Sequence, residues 1–159
     1  MRSPSTDRPA PRVLLVDDDA ETLVLLRAAL EGEGVDVVGT AGDGSEVEAL
    51  ARQTDPDVIL MDLRMPRVGG IEATRSIKAR MPWIQVVLLT FYEEILPPPG
   101  PQGVGAFACL VKGCSAQIMR EVIAQAQRAS ENWRPARIPD SDEAEVHAAA
   151  RLGSRLGRW

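Results

Sequence analysis

The sequence has few of the features that would place a protein outside the cell or in a membrane. Its two cysteines, Cys109 and Cys114, fit no zinc or redox spacing and indicate reduced thiols. No apolar run approaches the roughly 18 residues that a membrane span needs. Residues 1–11 lack the apolar segment of a signal peptide and are predicted to form a disordered lead-in. We therefore expect a cytoplasmic protein with no membrane partner.

The sequence also lacks an excess of basic residues. Lysine and arginine number 18 against 23 aspartates and glutamates, so the formal net charge is −5 at pH 7. A nucleic-acid surface needs an excess of positive charge to pair with phosphates, and we expect no direct nucleic-acid binding. The apolar share of 45% in 159 residues is enough for the core of one ordinary domain, with some tail beyond it.

The sequence does contain five short apolar runs that alternate with segments favouring helix. The predicted strands are 13–16, 35–40, 58–61, 84–90 and 107–111. The predicted helices are 20–31, 45–52, 70–80 and 115–130, with Asp19 and Ser115 as the caps of the first and last. Prolines from Pro97 to Pro101 disrupt the fourth helix and predict a short turn followed by an irregular loop. This alternation predicts an α/β fold with a doubly wound, five-stranded parallel sheet.

Polar residues stand where four of the predicted strands end: Asp17, Asp18, Asp19, Asp62, Thr90 and Lys112. In a parallel sheet these ends share one edge, so the side chains can converge. Crowded carboxylates repel one another unless a hard cation such as Mg²⁺ joins them. A carboxylate can be phosphorylated as an acyl phosphate, which a lysine and a hydroxyl can then hold. The set predicts phosphoryl chemistry centred on Asp62.

Each of these residues has a simpler interpretation when it is taken singly. Asp19 is more easily explained as a helix cap than as a ligand. Thr90 is an ordinary strand residue, and Lys112 fits a solvated strand end. Asp62 is the sharpest case, because a carboxylate that ends so apolar a run is costly unless it is solvated, paired or metal-bound.

Four segments, in this order along the chain, resemble the receiver domain of bacterial two-component response regulators. They are Val13–Asp19 (VLLVDDD), Val58–Pro66 (VILMDLRMP) followed by Gly69-Gly70, Leu88–Thr90 (LLT) and Gly105–Lys112 (GAFACLVK). The resemblance covers about residues 12–130. It implies a flavodoxin-like (βα)5 fold with strand order 2-1-3-4-5. It also implies that a histidine kinase or a phosphotransfer protein is the phosphoryl donor.

The resemblance further implies a phosphoacceptor and a metal site. Asp62 would accept the phosphoryl group. Asp18 and Asp62 would bind Mg²⁺ directly, together with the backbone carbonyl of Arg64, and Asp17 would act through water. The chain would be no enzyme beyond the phosphorylation and autodephosphorylation of Asp62.

Two further roles and one departure follow from the same resemblance. Lys112 would pair with the phosphoryl group, and Thr90 would move to bond it and relay the switch. The position three residues before Lys112, usually a switching aromatic, is Cys109 in this sequence, which leaves Phe91 and Phe107 as candidate substitutes.

Residues 131–159 are predicted to be a linker and a short helix over Asp142–Leu156. This tail is too short for a DNA-binding helix-turn-helix module, so we expect a stand-alone receiver. Two hypotheses remain open. In one, phosphorylation of Asp62 changes the surface that binds an unknown downstream protein, with a homodimer as one form of assembly. In the other, the chain is a constitutive interaction module that signals independently of phosphate.

Overall fold

The computed structural model of the protein describes residues 8–91 and 101–135. In chain order the elements are β1 (Arg12–Val16), α1 (Ala20–Gly32), β2 (Asp36–Ala41), a 3₁₀ turn (Gly44–Glu46), α2 (Val47–Thr54), β3 (Val58–Asp62), α3 (Gly70–Arg80), β4 (Gln85–Thr90), α4 (Pro101–Val104), β5 (Ala108–Val111) and α5 (Ala116–Trp133). None of the helices in these two ranges is both long and apolar enough to cross a membrane.

The five strands form a single parallel sheet in the order β2-β1-β3-β4-β5, which confirms the predicted fold class. The register aligns the strand ends closely: Val16 lies opposite Met61, and Met61 lies opposite Leu88. Farther along, Thr90 lies opposite Val111. Residues that follow β1, β3, β4 and β5 are therefore delivered to the same edge of the sheet.

The core lies on both faces of the sheet. Every residue of β3 and β4 is buried, as the apolar runs without polar alternation predicted. Residues such as Ile59 and Met61 pack on one face against α2 and α3, for example against Ile77. Leu60 packs on the other face against α1 and α5, for example with Ile123. Helices on both faces hold the central strands rigidly at the edge where the polar residues emerge.

Local side-chain hydrogen bonds set the starts of the two long helices. The Asp19 carboxylate accepts from the Glu21 N–H at 3.2 Å and from the Thr22 hydroxyl at 2.8 Å at the start of α1. The Ser115 hydroxyl accepts from the Ile118 N–H at 3.2 Å at the start of α5. Both predicted caps are confirmed. Helix α5 ends at Trp133, three residues beyond the predicted end at Ser130.

The segment before β5 differs from the prediction at its end. The predicted irregular loop is wrong for Pro101–Val104, which forms the four-residue helix α4. A proline at the first helical position is compatible with a helix, because that position has no use for a backbone N–H donor. The prediction for residues 93–100 lies outside the described residues.

The amino-terminal segment is ordered earlier than predicted. Pro11, which we assigned to a disordered lead-in, is buried, and its carbonyl accepts from the Asp36 N–H at 2.9 Å. The carbonyl of Pro9 accepts from the buried Gln127 side chain on α5 at 3.0 Å. These hydrogen bonds tie the chain down before β1 begins. The rest of the lead-in, residues 1–7, and the tail helix over Asp142–Leu156 lie outside the described residues.

Candidate functional site

A cleft of about 350 Å³ opens at the carboxyl edge of the sheet. It contains all six polar residues that the sequence placed at strand ends, brought together from β1, β3, β4 and β5. Its lining residues are Asp17, Asp18, Asp19, Thr22, Asp62, Leu63, Arg64, Thr90, Phe91 and Lys112. The topology of a parallel sheet therefore gathers residues that are up to 95 positions apart in the sequence.

Asp62 is the last residue of β3 and is only 6% exposed. Its Oδ2 lies 3.3 Å from the Lys112 ammonium, and its Oδ1 accepts from the Arg64 N–H at 3.3 Å. Burial, followed by the negative charge of Asp17, raises the pKa of Asp62, whereas the Lys112 charge and the Arg64 N–H oppose this rise. The carboxylate is thus paired rather than isolated, which offsets the cost of placing it in the core.

Lys112 is the cation that contacts the buried carboxylates of the cleft. Its side chain is 8% exposed, which excludes the alternative that it is a solvated strand end. Its Nζ donates to Asp17 Oδ2 at 2.6 Å and lies 3.3 Å from Asp62 Oδ2. Burial alone would lower the pKa of Lys112, but the hydrogen bond and charge of Asp17, and then those of Asp62, outweigh it and raise the pKa. The ammonium therefore stays charged at neutral pH.

Three carboxylates form a group that fits a hard divalent cation. Asp17, Asp18 and Asp62 each place one oxygen so that the three oxygens lie within 4.8 Å of one another. Oxygen ligands of this kind suit Mg²⁺. Each Asp17 oxygen already accepts a hydrogen bond, one from the Asp19 N–H at 2.9 Å and the other from Lys112. Of the three residues only Asp18 is exposed, whereas Asp17 and Asp62 are buried.

Backbone contacts hold the strand ends that carry the site. The Lys112 N–H donates to the Thr90 carbonyl at 2.6 Å, which joins the ends of β4 and β5. Thr90 is itself buried and lines the cleft. On the other side of Asp62, helix α3 begins at Gly70, where a Cβ atom would lie 2.4 Å from the Asp62 carbonyl oxygen. Only a glycine permits the helix to approach the end of β3 so closely.

The structure also adds Thr22 to the site, and it places in the cleft Phe91, which the sequence suggested only as a substitute for the switching aromatic. Phe91 lines the cleft, and its ring centroid lies 4.5 Å from the Lys112 ammonium. Thr22 lines it too, with its hydroxyl donating to Asp19. The position of Phe91 directly after Thr90 could have indicated a site residue. Which way its side chain points, however, depends on how β4 ends. Asp19, considered as both cap and ligand, caps α1 and lies outside the three-carboxylate group.

The chain belongs to the response regulator receiver domain family. The family model for this domain matches residues 13–124, which include every polar residue of the cleft named above. The chain is therefore a receiver domain of the kind found in two-component signalling systems, which confirms the resemblance drawn from the sequence.

Curated relatives agree with this assignment. Response regulator GacA of Pseudomonas aeruginosa is 40% identical over 115 residues, a match that covers 72% of this chain and 54% of the relative. Transcriptional regulatory protein PdtaR of Mycobacterium tuberculosis is 39% identical over 115 residues, covering 70% of this chain and 56% of the relative. The chain thus spans about half the length of these relatives.

Solved structures support the same fold. A response regulator receiver domain protein from Clostridium thermocellum has a TM-score of 0.71 and 26% identity, and the match covers 78% of this chain and 99% of that one. The response regulator domain of Thermotoga maritima CheB has a TM-score of 0.63 and 29% identity, covering 79% of this chain and 99% of that one.

Proposed function

We propose that this protein is a phosphorylation-dependent signalling switch in which Asp62 accepts a phosphoryl group from a histidine kinase or a phosphotransfer protein. The observation that carries the proposal is the contact of Lys112 with Asp17 and Asp62, at 2.6 and 3.3 Å, beside a three-carboxylate group. This arrangement supports the proposal, because Asp62 would act as the nucleophile beside a cation and a group of oxygens suited to a metal ion. Receiver domains are signalling modules rather than classical enzymes, and we infer no other reaction here.

In the proposed reaction an oxygen of the Asp62 carboxylate attacks the phosphorus of a phosphoimidazole. A P–O bond forms while the P–N bond breaks, and its electron pair stays on the imidazole nitrogen, which then takes a proton. Lys112 is placed to donate to a phosphoryl oxygen, because its Nζ already lies beside the attacking carboxylate. Thr90, at the end of the neighbouring strand, supplies a hydroxyl for a second oxygen.

Mg²⁺ fits the donor set of the cleft, and Asp18, Asp62 and the Arg64 carbonyl would hold it, with Asp17 acting through water. When bound, the ion would supply positive charge that neutralises the phosphoryl oxygens as charge develops on them. Four aspartates but only two cationic side chains, Arg64 and Lys112, line the cleft, so a bound cation would reduce the repulsion of an anionic donor. We place this reaction in the cytoplasm.

Intact-mass spectrometry tests the proposal. The protein is incubated with Mg²⁺ and acetyl phosphate as a small phosphodonor, and we expect the mass of one added phosphoryl group. Asp62→Asn should abolish this gain, and chelation of Mg²⁺ should strongly reduce it. The matched control is Asp19→Asn, since Asp19 is a neighbouring carboxylate that caps α1. A wild-type protein that gains no phosphoryl group from any donor would defeat the proposal.

One observation keeps the phosphate-independent alternative in view. In the described part of the chain α4 has four residues and β5 has four, so the face beside Cys109 is built from short elements. If the chain is a constitutive module, binding of its downstream partner should survive Asp62→Asn and weaken when residues 140–159 are deleted. If it is a switch, partner affinity should change on phosphorylation of the wild type and stay constant in Asp62→Asn.

A further inference from the structure

Phe91 is unusual among the residues of the cleft because it is apolar, large and 65% exposed. It directly follows Thr90 at the end of β4. Its ring lies on the Lys112 ammonium, with 4.5 Å between Nζ and the ring centroid. This distance is within the roughly 6 Å over which a cation is attracted to the negative face of an aromatic ring. Because so much of the side chain is exposed, the hydrophobic effect explains little of why a phenylalanine stands at this position.

The Phe91 ring contacts the Lys112 ammonium in addition to the two carboxylates. An ammonium has three N–H donors, and Lys112 directs one to Asp17 at 2.6 Å, with Asp62 next at 3.3 Å. The side chain of Lys112 is 8% exposed although the ring beside it is largely exposed. Phe91 therefore contacts Lys112 from the exposed side of the cleft.

The sheet fixes the two residues relative to each other. Thr90 lies opposite Val111 in the register of β4 and β5, and the Lys112 N–H donates to the Thr90 carbonyl at 2.6 Å. Phe91 and Lys112 therefore leave adjacent strand ends that are joined by a backbone hydrogen bond. Their contact follows from the pairing of the two strands.

We propose that Phe91 is a positioning residue for phosphoryl transfer, which holds the Lys112 ammonium at the mouth of the cleft, beside Asp62. Asp17 is the nearer carboxylate, so without the ring the ammonium can turn toward Asp17 and away from the reacting oxygen. With the ring in place, that movement gives up the cation–π contact. This inference rests on the proposed phosphorylation of Asp62.

Three substitutions of Phe91 separate its aromatic character from its bulk. Phe91→Ala removes both, Phe91→Leu keeps an apolar side chain without a π face, and Phe91→Tyr keeps the ring. The rate of phosphorylation by acetyl phosphate and Mg²⁺ should fall about two- to fivefold in the alanine and leucine variants, the range expected for an exposed cation–π contact. The tyrosine variant should react at nearly the wild-type rate. Because Phe91 is largely exposed, all three should fold, which urea denaturation checks.

A second readout does not depend on the reaction. In NMR spectra the Lys112 side-chain methylene protons should be shifted upfield by the ring in the wild type and in Phe91→Tyr. The alanine and leucine variants should lose this shift, and their Lys112 ammonium protons should exchange faster with water.

The outcomes distinguish this inference from the proposed function. Phosphorylation of Phe91→Ala at the wild-type rate would show that the ring does not assist the reaction, and a faster rate would show that it obstructs the cleft. A leucine variant that reacts as fast as the tyrosine variant would show that bulk alone matters. Each of these results overturns the inference, as does the absence of the upfield shift in the wild type. If the wild type gains no phosphoryl group at all, the proposed function fails, and the shift and the proton exchange still decide whether Phe91 holds Lys112.

Discussion

Gly70 offers a direct test of how closely α3 packs against the end of β3, where Asp62 lies. A Cβ atom at this position would lie 2.4 Å from the Asp62 carbonyl oxygen and 3.0 Å from the Leu63 Cα. Both of these neighbours are backbone atoms, which cannot move aside as the end of a flexible side chain can. In Gly70→Ala, either α3 or the end of β3 must therefore shift.

The magnitude follows from the cost of overpacking. An extra carbon in a closely packed region typically destabilises a protein by about 1–3 kcal/mol. The higher helix propensity of alanine opposes this by at most about 1 kcal/mol, and by less at the first position of a helix. We expect a net loss of about 1–2 kcal/mol in the free energy of unfolding. A displacement of Asp62 by about 1 Å would also slow its phosphorylation, by up to about 100-fold.

Urea denaturation of the wild type and two variants measures the effect. The control is Gly42→Ala, because a Cβ atom at Gly42 has no neighbour within 4 Å and should change the free energy of unfolding by no more than about 0.5 kcal/mol. Equal stability of the Gly70→Ala and Gly42→Ala variants would refute the argument, since the junction of β3 and α3 would then have room for a methyl group.

Three further predictions concern stability. Arg134→Ala removes an ion pair with Asp57 at 3.2 Å, in which neither side chain is more than 14% exposed, together with a half-exposed pair with Asp55 at 2.6 Å. It should cost about 1–3 kcal/mol in urea denaturation, whereas Arg8→Ala breaks an exposed pair and should cost at most about 1 kcal/mol. Hydrogen bonds from the backbone N–H and the hydroxyl of Ser45 hold the pKa of Asp43 below its ordinary value of 3.8. The charge of Asp43 therefore stabilises the fold above pH 3.8, and this stabilisation is lost as the pH falls further. The stability difference between the wild type and Asp43→Asn should therefore be present at neutral pH and shrink in acid. Mg²⁺ at ten times its Kd should raise the free energy of unfolding by about 1.4 kcal/mol, and Asp18→Asn should weaken this gain.

Each of these three has a contrary result. Equal losses in Arg134→Ala and Arg8→Ala would mean that burial of the Arg134 pair adds nothing. A difference between the wild type and Asp43→Asn that grows in acid would reverse the sign argued from the pKa. Stabilisation by Mg²⁺ that is unchanged in Asp18→Asn would place the ion away from the three-carboxylate group.

The sequence was sufficient to predict the five strands and the edge of the sheet at which the site lies. β3 and β4 are apolar without alternation, and a strand of this kind needs cover on both faces, which a doubly wound parallel sheet provides. Because the strands are parallel, the sequence also predicted that Asp62, Thr90 and Lys112 lie at one edge of the sheet. The caps at Asp19 and Ser115 were also predictable, because a cap acts on backbone groups only two or three residues away.

Local rules were less successful where the chain departs from regular patterns. Prolines indicated a loop through Pro101, but the same residue begins α4, since one ring is acceptable at a helix start. Pro11 was assigned to a disordered segment, yet it is buried, with its carbonyl bonded to the Asp36 N–H at the start of β2. Neither the helix start at Pro101 nor the burial of Pro11 is indicated by the residues next to the proline.

The sequence by itself determined which residue types reach the carboxyl edge, because period and composition decide how a strand is buried and where it ends. Only the tertiary structure decided how those residues share the edge. Lys112 contacts Asp17, which lies 95 residues earlier, and the ring of Phe91 lies over the Lys112 ammonium. Both contacts depend on the register of β4 and β5 and on the direction of the side chains at the strand ends. Such contacts depend on distances between separate strands, which no local pattern in the chain encodes.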